Sequence, residues 1–206
     1  MKVLLLNGSP HEKGCTYTAL AEVAKTLESE GLETEILWLG KDATYGCSGC
    51  GVCRKTGKCV HDDVVNVAAE RLSSSDALIV GAPVHYAAAS GQITCALDRL
   101  FYSYRGDLRL MPGAAVVSAR RAGTTATLDQ LNKYFTIKQM PIVSSRYWNM
   151  VHGNTPEEVL QDEEGMSVMR TLGRNMAWLL KSIEAGRKAG LEPPAEEPKK
   201  LTNFIR

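Results

Sequence analysis

The polarity of the chain alternates between short apolar stretches and longer segments in which apolar residues recur with a helical period. Short apolar or alternating runs are typical of strands, and the longer segments are typical of amphipathic helices. Strands are predicted at 2–7, 33–39, 76–80 and 114–118, and a fifth is predicted to begin at 141–144. Helices are predicted around 20–27, 64–72, 93–100, 125–135 and 166–188. This alternation predicts an α/β fold whose mostly parallel sheet has helices on both faces.

In such a sheet, ligands bind beside the carboxyl ends of the strands, so the loops after the first, third and fourth strands are the candidate site. The first loop, 8–18 (GSPHEKGCTYT), joins a strand to a helix start. Backbone N–H groups, hydroxyls and the helix dipole favour a phosphate at such a place. The loop matches neither a P-loop nor a dinucleotide turn. The alternative interpretation is a helix capped by Thr16 or Thr18.

A second feature is a run of cysteines between the second strand and the helix that follows it. The stretch 47–59 (CSGCGVCRKTGKC) holds four of the six cysteines in a C-x2-C-x2-C-x5-C spacing, with glycines that let the backbone curl. Four thiolates from one compact run are typical of an iron–sulfur cluster, whereas zinc sites usually carry two C-x2-C pairs that lie farther apart. A loop without metal is the third alternative. The predicted metal ligands are Cys47, Cys50, Cys53 and Cys59.

Length and charge narrow the classes of function. The 206 residues fit one domain, predicted to span 1–190 and to be followed by a tail of different composition at 191–206. The 24 Lys and Arg residues balance the 23 Asp and Glu residues, so we expect no nucleic-acid partner and no membrane partner. The apolar run 3–6 is too short for a signal peptide. Six cysteines without such a signal favour metal ligands over disulfides, and we expect a cytoplasmic protein.

Three segments are similar to one known family. The first loop resembles the Gly-Ser-Pro-Arg…Gly-Asn-Thr phosphate loop of flavodoxin-like NAD(P)H-dependent FMN reductases. The stretch 82–99 (APVHYAAASGQITCALDR) resembles the Pro-Val-Tyr…Gly-Gln-Leu-Lys…Asp-Arg segment after their third strand. The cysteine spacing, with CVHDDV at 59–64, resembles that of the iron–sulfur flavoproteins, a branch of this family. The segments keep the family's order and spacing.

The resemblance implies a flavodoxin-like fold with a five-stranded parallel sheet, a cysteine-rich loop inserted after strand two, and noncovalently bound FMN. By position, the phosphate would lie in the first loop and the flavin ring along 83–87, with 118–123 closing over its other side. His11 stands where the family usually has arginine, and Cys15 stands where it has asparagine. The residues that the resemblance assigns to the cofactor are Ser9, Pro10, His11, Gly14, Cys15, Thr16, Pro83, Val84, His85, Tyr86, Ala87, Ser118, Arg120, Arg121 and Gly123.

Together these features predict FMN-dependent electron transfer between a reduced donor, NAD(P)H or a ferredoxin-like protein, and an acceptor, by way of a [4Fe–4S] cluster. No acid–base constellation stands out, so no catalytic side chain is assigned and the cofactors would carry the chemistry. The alternatives are a cluster-free NAD(P)H-dependent FMN or quinone reductase and a pure electron carrier. The resemblance also implies a homo-oligomer, a dimer or tetramer, which the apolar groups of Tyr147, Trp148 and Met150 favour.

Overall fold

The structure is a computed structural model, and it describes residues 1–198, 200 and 202. Its strands are β1 (Lys2–Asn7), β2 (Glu33–Trp38), β3 (Ala77–His85), β4 (Ala88–Ala89), β5 (Gly113–Ala119) and β6 (Met150–His152). Its helices are α1 (Cys15–Ser29), α2 (Cys53–Thr56), α3 (Val64–Ser73), α4 (Gly91–Ser103), α5 (Thr124–Thr136), α6 (Pro156–Gln161) and α7 (Glu163–Lys188). The order of elements is the predicted alternation of strands and helices.

Five parallel strands form the sheet in the order β2-β1-β3-β5-β6, and the two-residue β4 pairs antiparallel with the end of β3. The predicted α/β fold with a five-stranded parallel core is therefore confirmed. The strand order reverses between β1 and β3, where sheets of this topology bind their ligands. The carboxyl ends of β1, β3 and β5 lie side by side there, which brings the three candidate loops to one edge.

Two apolar layers cover the faces of the sheet. Val3 and Leu5 point into a layer formed with α1 and α7, whereas Leu4 and Leu6 point into a layer formed with α3, α4 and α5. All four side chains are at most 1% exposed. Because β1 supplies both layers, its sequence is a continuous apolar run and not an alternating one.

The fifth parallel strand differs from its prediction. Residues 141–144 do not form a strand, since Ile142 makes an isolated bridge to Gly113 and the strand itself is β6. The chain leaves the sheet after Val143, whose N–H donates to the Gly113 carbonyl (2.8 Å). It returns at Asn149, whose carbonyl accepts from an amide of β5 (2.9 Å). The segment 144–148 between these two points interrupts the strand. The apolar pattern alone does not predict the residue at which the chain rejoins the sheet.

The third strand is longer than predicted. The sequence places its end at Val80, whereas β3 continues to His85. Pairing with β5 extends as far as Pro83 opposite Ser118, and β4 pairs with the last two residues of β3. These neighbours keep the chain extended, so the start of the predicted third loop belongs to the strand.

The start of the first helix also differs from the threonine-capped alternative. Gly14 is the N-cap of α1, and neither Thr16 nor Thr18 caps the helix. Thr18 instead donates its hydroxyl to the Gly14 carbonyl (3.2 Å), one turn into the helix. The interpretation of this loop as a helix capped by one of these threonines is therefore wrong.

The segment after α7 runs along the surface. The Leu191 N–H donates to the Gly186 carbonyl (2.9 Å), and Arg109 Nη1 donates to the Pro194 carbonyl (2.6 Å). The division into 1–190 and a tail at 191–206 stays a prediction, and residues 199, 201 and 203–206 of that tail lie outside the described residues. Within the part of the chain that is described, no helix has the length and apolar character needed to cross a bilayer.

Candidate functional site

The first loop is held in shape by groups at the ends of three strands. The Gly8 N–H donates to the Gly81 carbonyl in β3 (2.9 Å). Asn7, the last residue of β1, accepts from the Ser9 N–H through its side-chain oxygen (3.1 Å). From the end of β2, the Trp38 indole N–H donates to the Ser9 carbonyl (2.8 Å). The sheet edge therefore fixes the loop.

The end of the first loop fits a phosphate group. Among the residues that the structure describes, no side chain caps α1, so its first-turn N–H groups lack a side-chain acceptor. The Ser9 hydroxyl accepts from the His11 N–H (3.1 Å), and the His11 side chain is exposed. A Cβ at Gly14 would lie 2.9 Å from the Cβ of His11, which explains a glycine in this close turn. The helix dipole and these amides favour a bound anion.

A buried hydroxyl pair joins the first loop to the end of β5. Thr16 Oγ1 and Ser118 Oγ lie 2.8 Å apart, and both residues are buried. The Ser90 hydroxyl, just before α4, donates to the Gly8 carbonyl (3.0 Å). The loops after β1, β3 and β5 are therefore tied directly to one another.

The loop after β3 has an unusual backbone and an exposed rim. Tyr86 and Ala87 have positive φ angles of 51° and 61°, and the Tyr86 side chain is fully exposed. Gly123, with φ of 91°, approaches this loop so closely that a Cβ on it would lie 2.7 Å from the Ala87 Cα. The structure thus brings the loop after β3 and the loop after β5 into contact. Their exposed edge is a surface that a planar ring system can cover.

The fifteen residues assigned to the cofactor lie at this single edge of the sheet, with different exposures. The buried members are Ser9, Thr16 and Ser118. The half-buried members are Pro10, Gly14, Cys15, Pro83, Val84 and Gly123. The exposed members are His11, His85, Tyr86, Ala87, Arg120 and Arg121. Both arginines, Arg120 and Arg121, are thus exposed at the rim.

Cys15 departs from the other first-loop residues in its contacts. Its thiol donates to the Gly153 carbonyl, with the sulfur 3.7 Å from the oxygen. Burial raises the pKa of the Cys15 thiol, the carboxylates of Glu157 and Glu158 raise it further, and a backbone hydrogen bond opposes them. The thiol is therefore kept neutral beside the start of α6, on the side of the loop toward Gly153.

The four predicted metal ligands line one recess. Cys53 is buried at the start of α2, Cys59 is half-buried, and Cys47 and Cys50 are exposed. The glycines between them, Gly49, Gly51 and Gly57, all have positive φ, as predicted for a loop that curls around a centre. Within the described residues, however, no three His, Cys, Asp or Glu side chains converge closely enough to hold a metal ion.

The chemistry of this recess nevertheless fits a thiolate-bound centre. Four cysteines line the same space, and cysteine thiolates are ligands for both iron–sulfur clusters and zinc. The Ser103 hydroxyl lines the recess too, and it is buried without a hydrogen-bond partner among the described residues. A buried hydroxyl without a partner is costly, and a sulfur or ligand in the recess would satisfy it. The donor set alone does not choose between the metals.

Residues that sequence reasoning did not select hold the cysteine loop in place. The Asn66 side chain accepts from the Cys59 N–H (3.0 Å) and donates to its carbonyl (3.1 Å). Arg105 donates to the Cys53 carbonyl (2.7 Å), and Arg99 donates from Nε to the Cys59 sulfur (3.2 Å). A charged residue within the apolar stripe of α4 was the available signal for Arg99, because a buried arginine needs partners.

A sequence model described as NADPH-dependent FMN reductase matches residues 1–155 of this chain. The chain belongs to that family. An iron-sulfur flavoprotein from Methanocaldococcus jannaschii is 29% identical over 192 residues, which cover 89% of this chain and 100% of that protein. The resemblance found in the three segments is therefore confirmed. As a member of the FMN reductase family, the protein is a flavin-dependent oxidoreductase.

Solved structures agree with this family assignment at the level of the fold. A flavodoxin from the domain Archaea has a TM-score of 0.59 at 14% identity, covering 88% of this chain and 99% of its own. The NAD(P)H:quinone oxidoreductase from Methanothermobacter marburgensis has a TM-score of 0.65 at 19% identity, covering 85% of this chain and 96% of its own. The flavodoxin-like fold predicted from the sequence is thus confirmed.

Proposed function

We propose that this member of the FMN reductase family binds FMN at the carboxyl ends of β1, β3 and β5 and a [4Fe–4S] cluster on Cys47, Cys50, Cys53 and Cys59. It would pass electrons between a reduced donor, NAD(P)H or a ferredoxin-like protein, and an acceptor. The observation that supports the proposal is that all four cysteines line one recess, in a chain whose first loop is joined to the end of β5.

The family resemblance and the arrangement of the loops support the following roles for the chain's own residues. The amides at the start of α1 and the hydroxyls of Ser9 and Thr16 would hold the phosphate, and the two loops that meet at Gly123 would flank the ring. Arg120 and Arg121 lie exposed at the same rim, where they are available to the phosphates of a nicotinamide dinucleotide. When bound, FMN exchanges a hydride or single electrons and a cluster exchanges one electron, so the pair can connect two-electron and one-electron partners.

The second candidate is a cluster-free NAD(P)H-dependent FMN or quinone reductase. The description of the matching family favours it, since that description names NADPH and FMN and no cluster. The thiol loop would then be a redox-sensing or vestigial feature.

We further propose that the protein is a homo-oligomer. Tyr147 and Trp148 pack edge to face in the excursion before β6, with centroids 4.9 Å apart, and their side chains are 52% and 55% exposed. Burial of such an aromatic pair against a second copy would remove apolar surface from water. Light scattering at micromolar concentration should give a mass of two or four chains, and a monomer would contradict this.

The cofactor content of anaerobically purified protein tests the proposed function. Acid-released flavin should be FMN, and iron and acid-labile sulfide should each approach about four per chain. FMN without iron, sulfide or zinc would support the cluster-free reductase. Zinc in place of iron would contradict the electron-transfer role of the loop, and FAD alone would contradict the assignment of the first loop.

A further inference from the structure

We propose that Arg99 is a positioning residue that aims a hydrogen bond at the sulfur of Cys59 and, together with Asp63, sets the redox potential of the centre in the cysteine recess. The proposal rests on the proposed function, because it concerns a cluster bound there. It adds two residues outside the cysteine motif to the machinery of that site.

All five N–H groups of the Arg99 guanidinium donate hydrogen bonds, and the residue is only 1% exposed. Both terminal nitrogens donate to the Asp63 carboxylate, at 2.7 and 2.8 Å, which is the fork geometry of a bidentate pair. One of them also donates to the His61 carbonyl (3.1 Å), and the other donates to the Tyr45 carbonyl (3.4 Å). The remaining N–H, on Nε, donates to the Cys59 sulfur at 3.2 Å. The ion pair thus fixes the plane of the group and leaves one donor directed at the sulfur.

Burial of the Arg99 guanidinium costs folding free energy, which indicates that the charge serves the site. Arg99 lies on the buried face of α4, beside Ile93, Ala96 and Leu100, where an apolar side chain would pack without an ionic partner. Only the arginine side of the ion pair is fully buried, since the Asp63 side chain is 32% exposed, and the attraction between the two charges need not offset the removal of the guanidinium from water. Burial works to raise the pKa of Asp63, but hydrogen bonds from Arg99 and Val65 outweigh it, so the net pKa is lowered and the carboxylate stays charged beside the arginine.

The geometry predicts opposite effects for the two partners. An N–H donated to a ligating sulfur stabilises the more electron-rich, reduced state of a cluster and so raises its potential. The negative charge of Asp63 partly cancels the positive charge of Arg99, and this lowers the potential. Loss of the Arg99 fork should therefore make the centre harder to reduce, whereas loss of the Asp63 charge should make it easier to reduce.

The variants are Arg99→Lys and Asp63→Asn, each with a matched control. Lysine keeps the charge but cannot hold a bidentate pair and also donate along the Nε direction. Asparagine keeps the volume of Asp63 and remains a good N-cap for α3, where the side chain accepts from the Val65 N–H (3.0 Å). Arg105→Lys is the control for arginine, since Arg105 contacts the same loop through the Cys53 carbonyl and not through a sulfur. Asp62→Asn removes the same charge one residue away, at an exposed position.

Redox titration of the anaerobically purified proteins, followed by electron paramagnetic resonance, measures the potential directly, and the flavin potential serves as an internal reference. Arg99→Lys should lower the midpoint potential of the centre by about 59 mV, which for a one-electron couple is about a tenfold lower ratio of reduced to oxidised centre at a fixed applied potential. Asp63→Asn should raise the midpoint potential. Both controls and all flavin potentials should match the wild type.

The outcomes separate this inference from the proposed function. Wild-type protein without iron and sulfide would overturn both. Wild-type protein that carries the cluster, with variants whose potentials equal those of the wild type or shift in the same direction, would overturn the inference alone. An equal shift in Arg105→Lys would also overturn it, because the effect would then be general to the loop. If Arg99→Lys fails to fold or to retain the cluster, Asp63→Asn still decides, since it preserves the cap.

Discussion

Two regions of the molecule are held in place in different ways: the cysteine loop, and the sheet edge formed by the loops after β1, β3 and β5, the flavin edge, where FMN is proposed to bind. At the flavin edge, the first loop is fixed from within by strand ends, through Asn7 and Trp38, and a buried hydroxyl pair locks it to β5. The cysteine loop is instead held from outside, by Asn66 and by arginines in and after α4. Two of its four cysteines remain exposed.

This difference indicates that the two regions depend on different contacts. The first loop is fixed by hydrogen bonds to β1, β2 and β3, whereas the cysteine loop is fixed by Asn66, Arg99 and Arg105. A substitution in one region should therefore leave the cofactor proposed for the other region in place.

The largest expected effect is the loss of one cofactor without the other. Cys53→Ser should reduce iron and sulfide from about four per chain to background and leave the FMN content unchanged. Serine keeps the shape of the side chain but is a poor ligand for iron, and none of the residues assigned to FMN lines the recess that Cys53 lines. Flavin chromatography and iron analysis of the same preparation provide the measurement.

Cys95→Ser is the control for that variant, because Cys95 does not line the recess. It should keep both cofactors. Loss of FMN together with iron in Cys53→Ser would show that the two regions fold as one unit and are not held independently.

The sequence predicted which loops lie together at the flavin edge, but it did not predict which residues hold the cysteine loop in place. Residues such as Ser9 and Gly14 belong to one contiguous loop after an apolar run, so the strand pattern alone assigns them to the carboxyl edge of the sheet. Arg99 meets Asp63 and Cys59 across 36 and 40 positions of sequence. Nothing local in the chain specifies which buried charge meets which sulfur, and that pairing required the tertiary structure.

The second prediction tests how rigidly the flavin loops meet. Gly123→Ala should lower the free energy of unfolding by about 1–2 kcal/mol through its left-handed φ and by about 1–3 kcal/mol more through the clash with Ala87. It should also weaken FMN binding, because the loops on both sides of the ring must separate. Urea unfolding of the apoprotein measures the free energy of unfolding, and FMN titration measures the affinity for FMN.

Gly31→Ala is a matched control for the backbone strain. Gly31 also has a positive φ, 83°, but a Cβ there would meet nothing within 4 Å. Gly31→Ala should lose the unfolding free energy that comes from the left-handed φ but not the part that comes from a clash, and it should leave FMN binding unchanged. An equal loss of unfolding free energy in Gly31→Ala and Gly123→Ala would mean that the loops beside Gly123 are not closely packed.

The third prediction concerns the hydroxyl pair. Thr16→Ala should weaken FMN binding by about 1.5–3 kcal/mol, the range for a hydrogen bond to a charged group, and it also leaves Ser118 without its partner. Thr16→Ser keeps the hydroxyl and should bind FMN nearly as tightly as the wild type. If Thr16→Ala binds with unchanged affinity, Thr16 does not contact the phosphate and serves only to join the loops.

The smallest expected effect is a difference in alkylation rate between the thiols of the two regions in metal-free protein. Iodoacetamide alkylates the thiolate, and burial raises the pKa of Cys15, so Cys15 should react more slowly than the exposed Cys47 and Cys50 at the same pH. The neutral Cys15 thiol stabilises the fold fully below its unfolded pKa, and this contribution is lost as pH rises through the raised folded value. The reaction rate at Cys15 should therefore increase steeply with pH in that range. Peptide mapping by mass spectrometry measures each site, and unfolding in urea should remove the difference. A folded protein in which Cys15 reacts as fast as Cys50 would show that the flavin edge opens as readily as the cysteine loop.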